Sequence, residues 1–401
     1  MENKWRIGSL FGIPFYLDYS WLFVLIFVTL INAEEVQATG LVNSNIWSGW
    51  LVGFLMALLL FISVLLHELG HSLVAKSQGI KVNSITLFLF GGVAAIERES
   101  KTPSQALQVA MAGPIVSMIL FAIFFGLYSI FTSDNLGSFI SLDLARINLV
   151  LAIFNLIPGL PLDGGQVLKA IVWKFSGDRF TGVLWAAASG KLLGWMGISL
   201  GLFLLLLTGQ VSCIWLSLIS WFILRNAYSY ERLTTLQKSL LEIVASEVMS
   251  QEFRVINGKL TLQDFVFQYI LSDNLQQVPY YAAADGRYCG LVKLQDFKAI
   301  ERSKWTSKIV ADITHHLTEI PAVTEKTNLV EVINKLENTN DKYITVLSPA
   351  GAVTGIIDKG NIIEFLAKKH NFAIPSSEIK QIREDNTYPR GLDLPSLVKN
   401  L

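Results

Sequence analysis

Charge is what this chain has least of. Asp, Glu, Lys and Arg make up 16% of its 401 residues, against 52% hydrophobic. Soluble domains usually carry about a quarter charged residues, so this balance excludes an ordinary soluble enzyme. The 32 basic and 32 acidic side chains cancel, so no net positive field exists to draw a nucleic acid. Cysteine is nearly absent. Cys213 and Cys289 fall in different halves and make neither a disulfide framework nor a Cys-type metal site. No removable signal peptide is expected either. Residues 1–19 contain charges, Gly12 and Pro14, and the apolar run from Trp21 is followed by no small-residue cleavage site.

What is present is uneven. Up to about Arg225 charge is sparse; beyond it charge is ordinary. That pattern predicts a membrane half followed by a soluble half, and mean hydropathy is +0.47 overall. A spanning helix needs about 20 apolar residues. Candidates lie at 19–32 (with 10–17 extending the apolar part), 49–75, 106–131 and 144–160. Two more lie within 192–224, split by Gly209-Gln210 into a helical hairpin. About six spans result. Basic residues mark one side of the bilayer: Lys4 and Arg6, then Lys76, Lys81, Arg98 and Lys101, then Lys169, Lys174, Arg179 and Lys191. The positive-inside bias places those loops, and both termini, in the cytoplasm. The membrane itself is a bacterial plasma membrane or a thylakoid or organelle membrane.

The second span holds the feature around which the chain is organised. From Leu51 to Leu66 there is no charge; then come His67, Glu68 and His71. Polar groups in a membrane helix are costly and mark function. Residues i and i+4 share a helix face, so His67 and His71 can reach one metal ion. Glu68 follows the first histidine, where it can take a proton from an attacking water. A catalytic zinc usually has three protein ligands and an open position. The third ligand is expected at Asp163, in Asn155-Leu-Ile-Pro-Gly-Leu-Pro-Leu-Asp163-Gly164-Gly165. Pro158 and Pro161 break the helix and Gly164-Gly165 let the backbone turn. Alone, Asp163 reads more readily as a cap or turn residue; beside His67 and His71 it reads as a ligand.

Between spans two and three, residues 82–90 are β-prone and Gly91-Gly92 mark a turn or close backbone approach. A hairpin or re-entrant strand over the site is expected, with a free edge able to pair with an extended peptide. The alternative is a surface hairpin with no special role. Ala112-Gly113-Pro114 reads as close helix packing, and Asn148 as an interhelical hydrogen-bond partner.

These pieces resemble a site-2-type intramembrane zinc metalloprotease, the regulated intramembrane proteolysis family. The resemblance rests on His67-Glu68-Leu-Gly-His71, Phe90-Gly91-Gly92, Ala112-Gly113-Pro114 and Asn155-x-x-Pro158-x-x-Pro161-Leu-Asp163-Gly164-Gly165, in that order. It covers residues 1 to about 225. It implies one catalytic Zn2+ held by His67, His71 and Asp163, Glu68 as general base and proton shuttle, and Asn155 holding the substrate carbonyl or its oxyanion. The implied substrate is a transmembrane protein, for instance a membrane-anchored regulator, cleaved within or near the cytoplasmic side of the bilayer among membrane lipid.

After Arg225 two similar units follow, each of β-α-β-β-α order. The expected layout is a membrane metalloprotease domain at 1–228, a linker at 229–243, repeats at 244–303 and 304–370, and a flexible tail at 371–401. The tandem resembles a CBS-domain pair, a regulatory or assembly module that could form a homodimer. Such pairs often bind an adenine nucleotide through a Ser/Thr and an Asp after the last strand. Here Lys293 and Asp296 follow one strand, Asp358 and Asn361 the other. The hydroxyl is absent from both units and the expected carboxylate from the second, which argues against the nucleotide. His315-His316 read as solvated.

The fold class expected is therefore a polytopic α-helical membrane protein with a short β hairpin, followed by a soluble α/β CBS-like tandem. The alternative function is a CBS-gated transporter or channel using the His/Glu cluster as a pathway. Against it, the spans show no internal duplication. A catalytically silent membrane binder is disfavoured by the intact set His67, Glu68, His71 and Asp163.

Overall fold

Ile13 and Phe15 alternate inward along a strand that follows a two-residue turn, Phe11-Gly12, with φ of 52° and 78°. Paired positive φ values suit the twist of a tight hairpin. The turn joins β1 (Lys4–Leu10) to β2 (Ile13–Asp18), so residues 10–17 extend a sheet and not the first membrane span. The computed structural model describes residues 4–41, 46–88, 91–131, 135–271, 278–293, 296, 300–339, 341–370, 373–389 and 394–399. They form two compact units, Met1–Thr235 and Leu236–Leu401.

In the first unit α1 (Ser20–Ala38) and α2 (Ile46–Ser77) follow the hairpin. Strands β3 (Val82–Phe88) and β4 (Gly91–Ile96) come next. The sheet order is β1-β2-β3-β4, with β2 and β3 parallel through Phe15↔Ile85 and the other pairs antiparallel. The expected hairpin is therefore one half of a four-stranded sheet. Its inward residues Ile13, Phe15, Val82 and Ile85 pack on Leu69 and Ala75 of α2. The Lys76 ammonium donates to the Phe11 carbonyl at 2.6 Å, tying the first turn to the end of α2. Leu69 lies between Glu68 and Gly70, so the sheet grips α2 at the polar cluster.

Helix α3 (Pro103–Ile130) starts at a Thr102 cap with proline at its first position. The Asn135 side chain caps α4 (Leu136–Asn155), accepting from Ser138 N at 2.7 Å. Then come α5 (Asp163–Ser176), α6 (Arg179–Thr208) and α7 (Cys213–Glu242). The Asp178 carboxylate caps α6, and Gly209 (φ 67°) ends it before the short turn into α7. Among the described residues five helices are long and apolar enough to cross a membrane: α1, α2, α3, α4 and α6. The expected sixth span falls in α7, whose apolar stretch stops at Leu224 before Arg225. Residues 229–243, expected as a linker, continue α7 almost to its end. Asn148 bridges helices as expected, donating to Ser63 Oγ on α2 at 3.1 Å.

The second unit repeats one plan. Strand β5 (Arg254–Asn257) pairs in parallel with β6 (Tyr280–Ala284), which pairs antiparallel with β7 (Arg287–Val292) and, through it, with β8 (Thr314–His315). In the other sheet β9 (Ala322–Thr324) pairs in parallel with β10 (Tyr343–Leu347), which pairs antiparallel with β11 (Val353–Asp358). Both antiparallel pairs slip register at matching places, Ala282/Ala283 and Val346/Leu347. The helix expected from Leu294 falls largely outside the described residues.

The expected flexible tail differs in the structure. Two helices form, Ser376–Asp385 and Leu394–Lys399, and Ile382, Leu394 and Val398 are buried in the core of the second repeat. The prolines and mixed charges that suggested disorder lie between apolar residues at helical spacing, and those residues cover the core. Leu394→Ala is expected to destabilise the protein by about 2–5 kcal/mol, read as a lower denaturant midpoint for the second unit. A midpoint equal to the wild type would show that the tail does not complete this core.

Candidate metal centre

The site is assembled from α2, α3, the end of α4 and the start of α5. His67 and His71 lie one turn apart on α2 and are 3% and 9% exposed. Their rings meet edge to face. His67 Nε2 and His71 Nε2 are 3.3 Å apart. Asp163 Oδ2 lies 3.1 Å from His67 Nε2 and 3.2 Å from His71 Nε2. Ligands at roughly 2.0–2.1 Å in a tetrahedron stand about 3.3 Å from each other. The three atoms thus have the mutual spacing of three corners of a tetrahedral site, and two imidazoles with one carboxylate are a borderline-soft donor set that could hold zinc.

Both rings are aimed from behind by α3. His71 Nδ1 lies 2.7 Å from the Val109 carbonyl. A carbonyl only accepts, so Nδ1 carries the hydrogen and Nε2 presents its lone pair. His67 Nδ1 lies 2.9 Å from Ser117 Oγ, a hydroxyl able to accept from it when Nε2 is the lone-pair nitrogen. Such partners orient metal-binding imidazoles and raise their basicity. Val109, Gly113 and Ser117 share one face of α3 at four-residue spacing. Gly113 provides the space between the partners: a Cβ there would lie 2.6 Å from His67 Nε2 and collide with His71 Nε2. Gly70 serves the same contact from α2, since a Cβ on it would meet the Val116 side chain at 2.8 Å and the Ala112 carbonyl at 3.0 Å. Ala112-Gly113-Pro114 does pack helices closely, and what it packs against includes the imidazoles themselves.

Asp163 is the first residue of α5. Its approach depends on the broken segment after α4. A Cβ on Gly164 would strike the Leu156 carbonyl, and one on Gly165 the Gly159 backbone, so both glycines let α5 stack on the turn. That turn docks on α6: Leu160 N donates to the Ala186 carbonyl at 3.2 Å, and Ser189 Oγ donates to the Pro158 carbonyl. Gly159 and Gly190 leave no room for a side chain between turn and helix.

Glu68 is half-buried and lies under β4. A Cβ on Gly92 would come within 2.7 Å of the Glu68 carboxyl carbon. The expected close backbone approach at Gly91-Gly92 is thus onto Glu68; Phe90 lies outside the described residues. Asn155 ends α4 with its Nδ2 3.4 Å from His67 Nε2, facing the centre. The structure therefore brings together His67, Glu68, His71, Asn155 and Asp163. Val109, Ser117 and the docking residues of α6 are additions that sequence reasoning missed. Ser117 was visible only as an isolated hydroxyl in an apolar helix, and a backbone carbonyl leaves no sequence signal.

The family profile described as Peptidase family M50 matches residues 55–143 and 132–188, stretches that contain all five of these residues. A candidate zinc metalloprotease of Synechocystis sp. is 39% identical to this chain over 91% of it and 96% of its own length. A zinc metalloprotease of Methanocaldococcus jannaschii is 28% identical over 92% of this chain and 97% of its own. Among solved structures, the site-2 protease from M. jannaschii is 33% identical, with a TM-score of 0.40, covering 57% of this chain and 95% of that one.

Ser117→Ala is expected to weaken divalent-metal affinity about 10–100-fold by freeing the His67 ring, and Gly113→Ala to abolish stoichiometric metal by displacing both rings. Metal content and competition with a calibrated chelator, alongside circular dichroism, check this. Wild-type affinity in both variants would disconnect α3 from metal holding.

Proposed function

This chain belongs to peptidase family M50, and we propose that it is a zinc-dependent endopeptidase that cuts transmembrane proteins within or near the cytoplasmic side of the bilayer. The observation that carries the reading is the convergence of His67 Nε2, His71 Nε2 and Asp163 Oδ2 within 3.3 Å of one another, with Glu68 beside them. His67, His71 and Asp163 would hold the ion. When bound, zinc makes water nucleophilic near neutral pH and polarises a scissile carbonyl.

The remaining chemistry belongs to the chain. The Glu68 carboxylate accepts the proton of the attacking water and returns it to the leaving amine. The Asn155 amide donates to the carbonyl oxygen as negative charge gathers there. The β4 strand is the edge of its sheet, so its free backbone groups can pair with a substrate segment unwound into an extended form. An extended backbone is what a peptidase needs, because helical hydrogen bonds shield the scissile amide.

The chain is an integral membrane protein with several spans. We place the sheet on the cytoplasmic side. Strands β2 and β3 pair, so the segments bearing Lys4, Arg6, Lys76 and Lys81 share one face of the membrane, as the charge bias requires. Both termini are placed in the cytoplasm on the same grounds. The CBS-like pair acts as a regulatory or assembly module.

Glu68→Gln in full-length protein reconstituted with a transmembrane substrate is expected to lower kcat by at least about a thousandfold while zinc stays bound. Full activity in that variant would remove Glu68 as the base. Asp163→Ala is expected to lower the zinc stoichiometry; a full complement of zinc would remove Asp163 as a ligand. Exhaustive chelation should abolish cleavage and added zinc restore it.

A further inference from the structure

Between β4 and α3 the chain carries two acidic residues with different surroundings. Glu97 pairs with Lys81 at 3.6 Å on the surface, both side chains well exposed, and such pairs hold little together. Glu99 is itself as exposed as Glu97, and the difference lies in its partners: it accepts a hydrogen bond from the Lys169 ammonium at 2.8 Å and lies 3.6 Å from the partly buried Arg179 guanidinium. Lys169 is only 7% exposed. A buried ammonium needs a counter-charge, and Glu99 is the partner the structure gives it. Partial burial pushes the Glu99 carboxyl up. The Lys169 charge and hydrogen bond, with Arg179, outweigh that and hold it below the ordinary carboxylate range.

The positions of the three residues give the contact its meaning. Lys169 is on α5, about 9 Å of helix rise from Asp163, which begins the same helix. Arg179 opens α6, the helix on which the Pro158–Leu160 turn is docked. At Gly182, α6 passes so close to the Lys169 carbonyl that a Cβ would not fit, so the backbone that carries the cation is packed where α5 meets α6. Glu99 follows β4, whose Gly92 lies against the Glu68 carboxyl. One carboxylate thus connects the strand over the general base to the helix of the third metal ligand.

We propose that Glu99 is a positioning residue that, through Lys169 and Arg179, locks β4 over Glu68 in register with the helix carrying Asp163. The inference rests on the peptidase reading above. Losing the lock leaves the donor atoms of α2 and α5 in place, because α3 and α6 hold them independently. It lets β4 shift above Glu68, so the loss falls on proton transfer and not on metal holding.

The test uses full-length protein in proteoliposomes and a fluorogenic transmembrane peptide that the wild type cleaves. Glu99→Gln is expected to keep stoichiometric zinc, to lower kcat between about tenfold and a hundredfold, and to leave KM within about twofold. The exchange Glu99→Lys with Lys169→Glu restores the pair in reverse and is expected to recover most of that loss. Unchanged kcat in Glu99→Gln overturns the proposal, as does zinc lost in parallel with activity, or a reversed pair that keeps zinc and recovers nothing. A wild type that cleaves no transmembrane peptide in the presence of zinc would instead overturn the peptidase reading itself.

Discussion

Two imidazoles and a carboxylate held within 3.3 Å of one another, at the end of an apolar helix, are the constraint that the rest of the membrane unit answers. Uncompensated polar groups in such surroundings are costly, so each needs a partner and each partner needs a place to stand. Helix α3 gives two: the Val109 carbonyl and the Ser117 hydroxyl. Having given them, it must come close, and only a residue without a side chain fits at 113. The small residues of α2 and α3 follow from the histidines.

The same logic governs the third donor. A carboxylate brought in from a helix start requires a broken chain before it, and broken chain leaves backbone groups without helical partners. The structure satisfies them on α6, through Leu160 N to Ala186 and Ser189 to Pro158. Close approach then requires Gly159, Gly164, Gly165 and Gly190. What reads in the sequence as an Asn-Pro-Pro-Asp-Gly-Gly pattern is therefore one half of a contact. Its other half is spread along α6 with no pattern that announces it.

This separates what the sequence made legible from what it hid. His67, Glu68, His71, Asn155 and Asp163 were readable because their chemistry is rare in an apolar run and their spacing is local. The tandem order of the second unit was readable because it occurs twice. The N-terminal hairpin was not. Ile13, Phe15 and Leu17 are apolar enough to extend a membrane helix on composition, and it is the Phe11-Gly12 turn and the pairing with β1 and β3 that reveal a strand. The tail was misread for the opposite reason: its charges and prolines dominate its composition, while Ile382, Leu394 and Val398, which do the packing, are few. Ser117 and Val109 were hidden because a single hydroxyl and a backbone carbonyl acquire meaning only from what faces them.

The tail also changes how the second repeat is understood. Asp358 stands at the end of β11, where the resemblance to CBS pairs would place the nucleotide-binding Ser/Thr. In the structure it caps the following helix, accepting from Asn361 N at 2.7 Å, and it faces Arg383 at 3.6 Å. Arg383 comes from the tail helix and also reaches Glu364 and Glu252, at 3.4 and 3.7 Å. It lies so close to Gly360 that a Cβ there would meet its Cγ at 2.5 Å. The next residue after Asp358, buried Lys359, pairs with Glu337 at 2.7 Å and lies over the ring of Tyr388 from the tail. The charges at this end of the repeat are thus matched from within the chain. The tail thus does two things at this end of the second repeat: Arg383 matches its carboxylates, and Ile382, Leu394 and Val398 close its core.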